Sequence, residues 1–283
     1  MLGYISWDVN PVLIDLQING HDWSLRWYGV LFAFGFIIAQ QVLYSIYRGD
    51  GKPRQSVDTL TLYFVVAAII GARSGHYLFY EWPQLVNDPA SWFVDLITPP
   101  FAGLASHGAT VAILFAIYLY SRKHPDQSYL WILDRLVIVV ALGGCMIRLG
   151  NLMNSEIYGV PTTLPWGFLF ARETDPRLLP LVPRHPTQIY EALFCLVLFM
   201  ATFYLWKLKR SVLPNGAIAG IFMIALFGFR FLIEFLKNDQ EDFESSYLIN
   251  MGQLLSLPVV AAGIIVLIYA YRRTSRPESF GRP

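Results

Sequence analysis

The chain has 283 residues, 55% of them hydrophobic and only 14% charged, with a mean hydropathy of +0.46 and a net charge of +1. A soluble domain carries about 25% charged residues, so this composition excludes an ordinary soluble enzyme and points into a bilayer. The near-neutral balance lacks the clustered basic face that marks a nucleic-acid partner, and none is expected.

The first twenty residues, MLGYISWDVNPVLIDLQING, have no basic n-region and do not read as a cleaved signal peptide. Beyond them, an apolar stretch of about 20 residues is long enough to span the hydrocarbon core as a helix. About seven such stretches follow in chain order: 25–47, 57–80, 103–121, 131–150, 187–206, 214–236 and 250–271. The breaks between them carry Pro, Gly and charge, as in YRGDGKPRQS, WPQLVNDPAS, SRKHPDQS, LKRSVLPNG and KNDQEDFESS. The segment 155–186, between the fourth and fifth spans, holds six prolines and is expected to fold as a small cap outside the bilayer. The expected fold is therefore an all-α polytopic membrane protein, a single transmembrane domain over 1–283 with a cap inserted at 155–186.

Charge orients this bundle, because Lys and Arg are retained on the cytoplasmic side. Twelve basic residues fall on one side of the seven-span arrangement, among them Arg48, Lys52, Arg122, Lys207 and Arg272, and four on the other: Arg172, Arg177, Arg184 and Lys237. The N-terminus and the cap are thus expected outside, periplasmic in a bacterium, and the C-terminus in the cytoplasm. Gly71-x-x-x-Gly75 and Gly216-x-x-x-Gly220 would let helices approach closely.

Charge within a span is costly and faces a partner or a wet cavity. Arg73, with His76 three positions on, reads as structural or interfacial. His107, in ASHGAT at the outer start of the third span, is either a hydrogen-bonded structural histidine or a base. Tyr28, in RWYG, is an interface anchor or a site residue. Arg230 and Glu234 stand i, i+4 and can pair. Glu191 lies one turn into a helix opened by His185-Pro186-Thr187, where a carboxylate is favourable in itself. Arg148 is followed by Asn151, Asn154, Glu156 and Gly159 within GGCMIRLGNLMNSEIYG, residues 143–159. An arginine fork fits a phosphate, and the neighbouring amides add donors. Two readings of Arg148 stand: a pocket for an anionic headgroup, or a buried salt bridge to Glu156 or Glu191. Cys145 and Cys195 lie in apolar runs and read as small hydrophobes. No Cys/His cluster has metal-ligand spacing, so neither a metal nor a cofactor is expected.

Residues 143–159 closely resemble the signature G-G-x-x-x-R-x-G-N-x-x-N-x-E-x-x-G of the bacterial prolipoprotein diacylglyceryl transferases. RWYGV at 26–30, GARSGHYLFY at 71–80, SHG at 106–108, RHPTQIYEA at 184–192, FRFLIEF at 229–235 and MGQLLSLP at 251–258 resemble further family motifs, in the family's order. The resemblance implies a multi-pass inner-membrane enzyme that moves a diacylglyceryl group from phosphatidylglycerol to the lipobox cysteine of a preprolipoprotein. It also implies that a thioether forms and glycerol phosphate leaves, in the first step of lipoprotein maturation. By the same resemblance His107, Arg148 and Arg230 are catalytic. Tyr28, Arg148, Asn151, Asn154, Glu156, Gly159, Glu191 and Glu234 line the substrate, with no metal. The chain departs from the family at Leu226, where a tyrosine is frequent, and at Ala109, where a second glycine is common. A transporter for an anionic solute and a non-catalytic lipid-binding protein are the rival readings.

Overall fold

A backbone in hydrocarbon must satisfy its own hydrogen bonds, so apolar spans become helices. The computed structural model describes residues 3–18, 21–98, 103–173, 178–238 and 250–274. Their helices are α1 (Trp27–Gly49), α2 (Arg54–Tyr80), α3 (Trp82–Asn87), α4 (Pro89–Ile97), α5 (Ser106–Lys123), α6 (Tyr129–Met153), α7 (Thr187–Lys209), α8 (Ala217–Ile233) and α9 (Met251–Thr274). Six helices are long and apolar enough to cross a membrane: α1, α2, α6, α7, α8 with the turn after it, and α9. The chain is thus a multi-pass membrane protein.

The third expected span, 103–121, coincides with the helix α5, which falls outside that set. It has 18 residues and ends in Arg122 and Lys123. At 1.5 Å per residue it rises about 27 Å, short of a hydrocarbon core about 30 Å thick. The helical expectation also lacked four strands. β1 (Ile5–Trp7) pairs in parallel with β4 (Phe168–Phe170), and β2 (Val12–Ile18) forms an antiparallel hairpin with β3 (His21–Arg26).

The chain divides into two compact units, residues 43–132 and residues 1–42 with 133–283. Within the first, α2 and α5 meet at glycines. A Cβ on Gly108 would lie 2.3 Å from the Gly71 carbonyl oxygen and 2.6 Å from the Gly75 Cα. Gly71 and Gly75 are thus the close-approach pair that their spacing predicts. The Ala105 amide donates to the Ala72 carbonyl at 2.9 Å, so α5 starts beside residue 72, eight residues before α2 ends at Tyr80. The free end of α2, about 12 Å long at the helical rise, is covered by α3 and α4. Arg73 is the tie: its Nε donates to the Leu96 carbonyl at 3.1 Å and its Nη2 to the Asp95 carbonyl at 2.5 Å. A cation on the last carbonyls of α4 is a favourable C-terminal cap. Arg73 is structural, as its setting suggests.

In the second unit, Trp7, Leu152, Tyr158, Phe168, Phe170, Leu178 and Ile189 build an apolar cluster. The Trp7 indole donates to the Leu152 carbonyl at 3.0 Å. Residues of the segment 155–186 thus pack with β1, the end of α6 and the start of α7. Below it, Leu226 packs with Ala141, Leu198 and Phe222 and against Cys145, Ala192 and Cys195. Gly220 lets α8 meet α9, where a Cβ would come within 2.9 Å of the Gly263 carbonyl. Gly216 instead turns the chain into α8, at φ 101°. Asp134 caps that helix from α6, accepting from the amides of Gly216 at 2.7 Å and Ala219 at 2.8 Å.

Candidate functional site

Arg148 and Asn151 share one face of the last turns of α6, three residues apart. Arg148 Nη1 donates to Asn151 Oδ1 at 3.2 Å. Asn151 Nδ2 passes the contact on to Glu156 Oε1 at 2.8 Å, where Asn154 Nδ2 also donates at 3.1 Å. Glu156 reaches back because Ser155 and Ile157 on either side hold left-handed φ values of 54° and 59°. Such conformations in non-glycine residues persist only where the surroundings over-determine them. Here the start of α7 does so: Gln188 Nε2 donates to the Glu156 carbonyl at 2.7 Å and Thr187 Oγ1 to the Ile157 carbonyl at 2.9 Å. Gly159 is wedged in the same corner, where a Cβ would come within 2.3 Å of the Leu236 carbonyl oxygen. Tyr28 lies on Gly150, where a Cβ would meet its ring at 2.7 Å, and interacts electrostatically with Glu156 and Arg148.

A second line of charge runs away from Arg148. Its Nε lies 3.2 Å from Glu191 Oε2, so the salt-bridge reading holds for Glu191, while Glu156 is reached through Asn151. The other oxygen of Glu191 accepts from Lys237 Nζ at 3.1 Å, and Lys237 Nζ also donates to Glu234 Oε1 at 3.0 Å. Arg230 Nε stands 3.8 Å from the same Glu234 oxygen, too far for a hydrogen bond, and has none. The expected i, i+4 pair is therefore loose. α8 ends at Ile233 and a 3-10 turn, Glu234–Leu236, carries the Glu234 carboxylate towards Lys237. The start of α9 holds that carboxylate from the far side. Asn250 and Gln253 form a reciprocal capping box, at 2.8 and 3.1 Å, and Asn250 Nδ2 lies 3.4 Å from Glu234 Oε2. A Cβ on Gly252 would come within 2.6 Å of Glu234 Oε1.

The result is an alternating chain, Arg148, Glu191, Lys237, Glu234, Arg230. Among the described residues, both arginines at its ends keep guanidinium nitrogens uncommitted. The Arg230 side chain is 41% exposed, against 2% for Lys237. Two forks with spare donors fit an anion with several oxygens, such as a phosphate.

The profile of the prolipoprotein diacylglyceryl transferase family matches residues 12–269. A phosphatidylglycerol–prolipoprotein diacylglyceryl transferase of Porphyromonas gingivalis is 43% identical over 280 residues, covering 95% of each chain. Proteins of the same description from Tolumonas auensis and Chloroherpeton thalassium are 38% identical over 272 residues and 36% over 273. These alignments cover 96% of this chain and 100% of the first relative, and 95% and 96% for the second. The chain belongs to this transferase family.

Within this transferase, nine of the ten residues singled out from the sequence, all but His107, lie in the unit formed by residues 1–42 and 133–283: Tyr28, Arg148, Asn151, Asn154, Glu156, Gly159, Glu191, Arg230 and Glu234. His107 belongs to the other unit, in the first turn of α5. It is exposed, and its ring stands edge-on to Phe79 with centroids 4.6 Å apart. A structural histidine would be hydrogen-bonded, and His107 has no such bond among the described residues. Lys237 is the site residue that the sequence reading missed. It sits where the sixth span breaks into KNDQEDFESS and was counted there as a loop cation. The signal available was its i, i+3 spacing from Glu234.

Outside the spans, burial pushes the His185 imidazole below its usual range. Its Nδ1 lies 3.2 Å from the Tyr190 hydroxyl, which accepts from the Trp166 indole at 3.0 Å. Among the described residues no group of three or more His, Cys, Asp or Glu is placed to hold a metal ion.

Proposed function

We propose that this chain transfers the diacylglyceryl group of phosphatidylglycerol to the lipobox cysteine of prolipoproteins. The observation that carries the reading is the pair of arginines, Arg148 and Arg230, each tethered by one carboxylate and each keeping donors for a phosphate. The thiolate sulfur attacks the glyceryl carbon that bears the phosphate oxygen. The carbon–oxygen bond breaks, a thioether forms, and glycerol phosphate leaves with both electrons of that bond. Neither acyl ester is touched. Arg148 and Arg230 offset the charge that grows on the departing phosphate, a task for preorganised donors. A free thiol titrates near about 8.5 and reacts as the thiolate. His107 takes the thiol proton, and the lack of a hydrogen bond to its ring among the described residues supports that role. The nucleophile comes with the substrate, which accounts for the lack of a reactive cysteine here. Tyr28, Asn151, Asn154, Glu156, Gly159, Glu191 and Glu234 shape the lipid site.

The arrangement proposed with it has α5 as the short member of seven spans. The cap 155–186 and the N-terminus lie on the periplasmic face of the inner membrane, and the C-terminus lies in the cytoplasm. The excess of Lys and Arg on the opposite side from the cap supports this orientation. The test is direct. The purified protein in detergent is incubated with phosphatidylglycerol and a lipobox peptide, and the peptide is followed by mass spectrometry. A diacylglyceryl increment on the peptide cysteine, lost in Arg148→Ala, is expected. A folded preparation that binds the lipid and gives no increment would leave lipid binding or transport as the better account.

A further inference from the structure

Lys237 is a buried cation for which the transfer step above has no use. Its side chain is 2% exposed, and its ammonium lies between Glu191 and Glu234, at 3.1 and 3.0 Å. Its backbone is held as firmly: it bridges Gly159, and its amide donates to the Glu234 carbonyl at 3.2 Å. It cannot reach a substrate without giving up one of these carboxylates.

The count of charges shows what it does. Arg148, Arg230 and Lys237 supply three cations, and Glu156, Glu191 and Glu234 supply three carboxylates. Without Lys237, two cations would face three carboxylates. A buried carboxylate without a partner is strongly unfavourable, so Glu191 and Glu234 would each draw in the nearest guanidinium. Arg148 now gives Glu191 one nitrogen, Nε at 3.2 Å, and Arg230 stands off Glu234 at 3.8 Å. Lys237 holds Glu191 by Oε1, the oxygen away from Arg148, and shares Glu234 Oε1 with Arg230, so each carboxylate has a cation besides its arginine. The arginine nitrogens left over are the ones a phosphate would take.

We propose that Lys237 is a positioning residue, the shared counter-ion that keeps Glu191 and Glu234 from closing on Arg148 and Arg230 and so leaves both forks open to the lipid phosphate. The inference rests on the phosphate role of the two arginines. It predicts a defect in lipid binding, not in the peptide or in the folded state.

The test compares wild type, Lys237→Met, Lys237→Arg and the double variant Lys237→Met/Glu191→Gln. The readouts are the transfer assay and native mass spectrometry of retained phosphatidylglycerol. Lys237→Met should raise KM for phosphatidylglycerol by about 30-fold or more, the low end for truncating one partner of a buried charge pair. KM for the peptide should stay within about twofold, because the peptide makes no use of the phosphate forks. Lys237→Arg, which keeps the charge, should recover most of the loss. The double variant removes one cation with one carboxylate and should retain more lipid than Lys237→Met alone. Unchanged KM and lipid retention in Lys237→Met would overturn the proposal. So would a folded double variant no better than the single one. If Lys237→Met does not fold, the double variant decides by the same retention measurement. A wild type that retains lipid but transfers nothing would sink the transfer reaction, while the retention series would still judge Lys237.

Discussion

At the scale of single residues, Arg148 separates the two readings that its sequence setting allows. It is salt-bridged, and it still has nitrogen to spare. Arg148→Lys should keep an ion pair with Glu191 and therefore the fold, but a point charge replaces a fork. The expected loss in kcat/KM is about 100-fold, typical of removing one preorganised donor to a developing oxyanion. Initial rates and the melting midpoint, measured together, check it; near-normal turnover would remove Arg148 from the phosphate site. His185 makes a different prediction. Its folded pKa is lowered by burial, so below about 6.5, the ordinary imidazole value, the unfolded chain takes up the proton first. Stability contributed by a neutral His185 is thus complete above that pH and is lost as pH falls from there. Trp166, bonded to the Tyr190 hydroxyl that faces His185, is the reporter. Its fluorescence transition should move to lower temperature below pH 6.5 in wild type and move less in His185→Gln. Arg148 and Arg230 could be singled out in the sequence because their motifs are local. Lys237 was not singled out, since Glu191 lies 46 residues away and only folding brings it to the ammonium that Glu234 already neighbours.

At the scale of elements, glycine decides how α2 and α5 meet. Gly108→Ala would drive a methyl group into the Gly71 carbonyl, and backbone on both sides leaves no room to yield. The helices must part, with a cost of a few kcal/mol, the usual price of overpacking. Gly143→Ala, which meets nothing within 4 Å, is the control. A Gly108→Ala protein with a wild-type melting midpoint would mean that this crossing is looser than described. The box at the start of α9 gives a smaller effect. Asn250→Ala should cost about 1 kcal/mol of stability and weaken the hold on Glu234. Six of the seven expected spans, matching the six long apolar helices, were legible from hydropathy alone, within a few residues at each end. The strands were missed although their signal was there: Val12, Ile14, Leu16 and Ile18 alternate with Leu13, Asp15 and Gln17, and an Asn-Gly pair follows. Against a chain read for 20-residue apolar runs, a seven-residue alternation carries little weight. The pairing of β1 with β4 had no sequence signal, because it depends on where the cap lands. The short helices α3 and α4 lay in a segment read only as a break.

At the scale of the whole molecule, ligand binding should be visible as stability. A lipid that binds the folded protein and not the unfolded chain stabilises it by RT ln(1 + [L]/Kd), about 2.7 kcal/mol when its concentration is 100 times Kd. Among the described residues, the three carboxylates and three cations of this site leave both outer cations with donors to spare. A phosphate uses those donors, and a zwitterionic headgroup, which brings its own ammonium, uses fewer of them. Phosphatidylglycerol added to micelles of the purified protein should therefore raise the melting midpoint in a saturable way. Phosphatidylethanolamine at the same mole fraction should raise it less. The difference between the two lipids should shrink in Arg148→Ala and in Arg230→Ala, and disappear when both are replaced. Were the two lipids to stabilise wild type equally, the arginines would be serving the bundle and not a headgroup. His107→Gln supplies the contrast, because it removes a proton acceptor and leaves the phosphate donors in place. It should show the full phosphatidylglycerol shift together with slow transfer. A loss of both in that variant would place His107 among the residues that hold the fold.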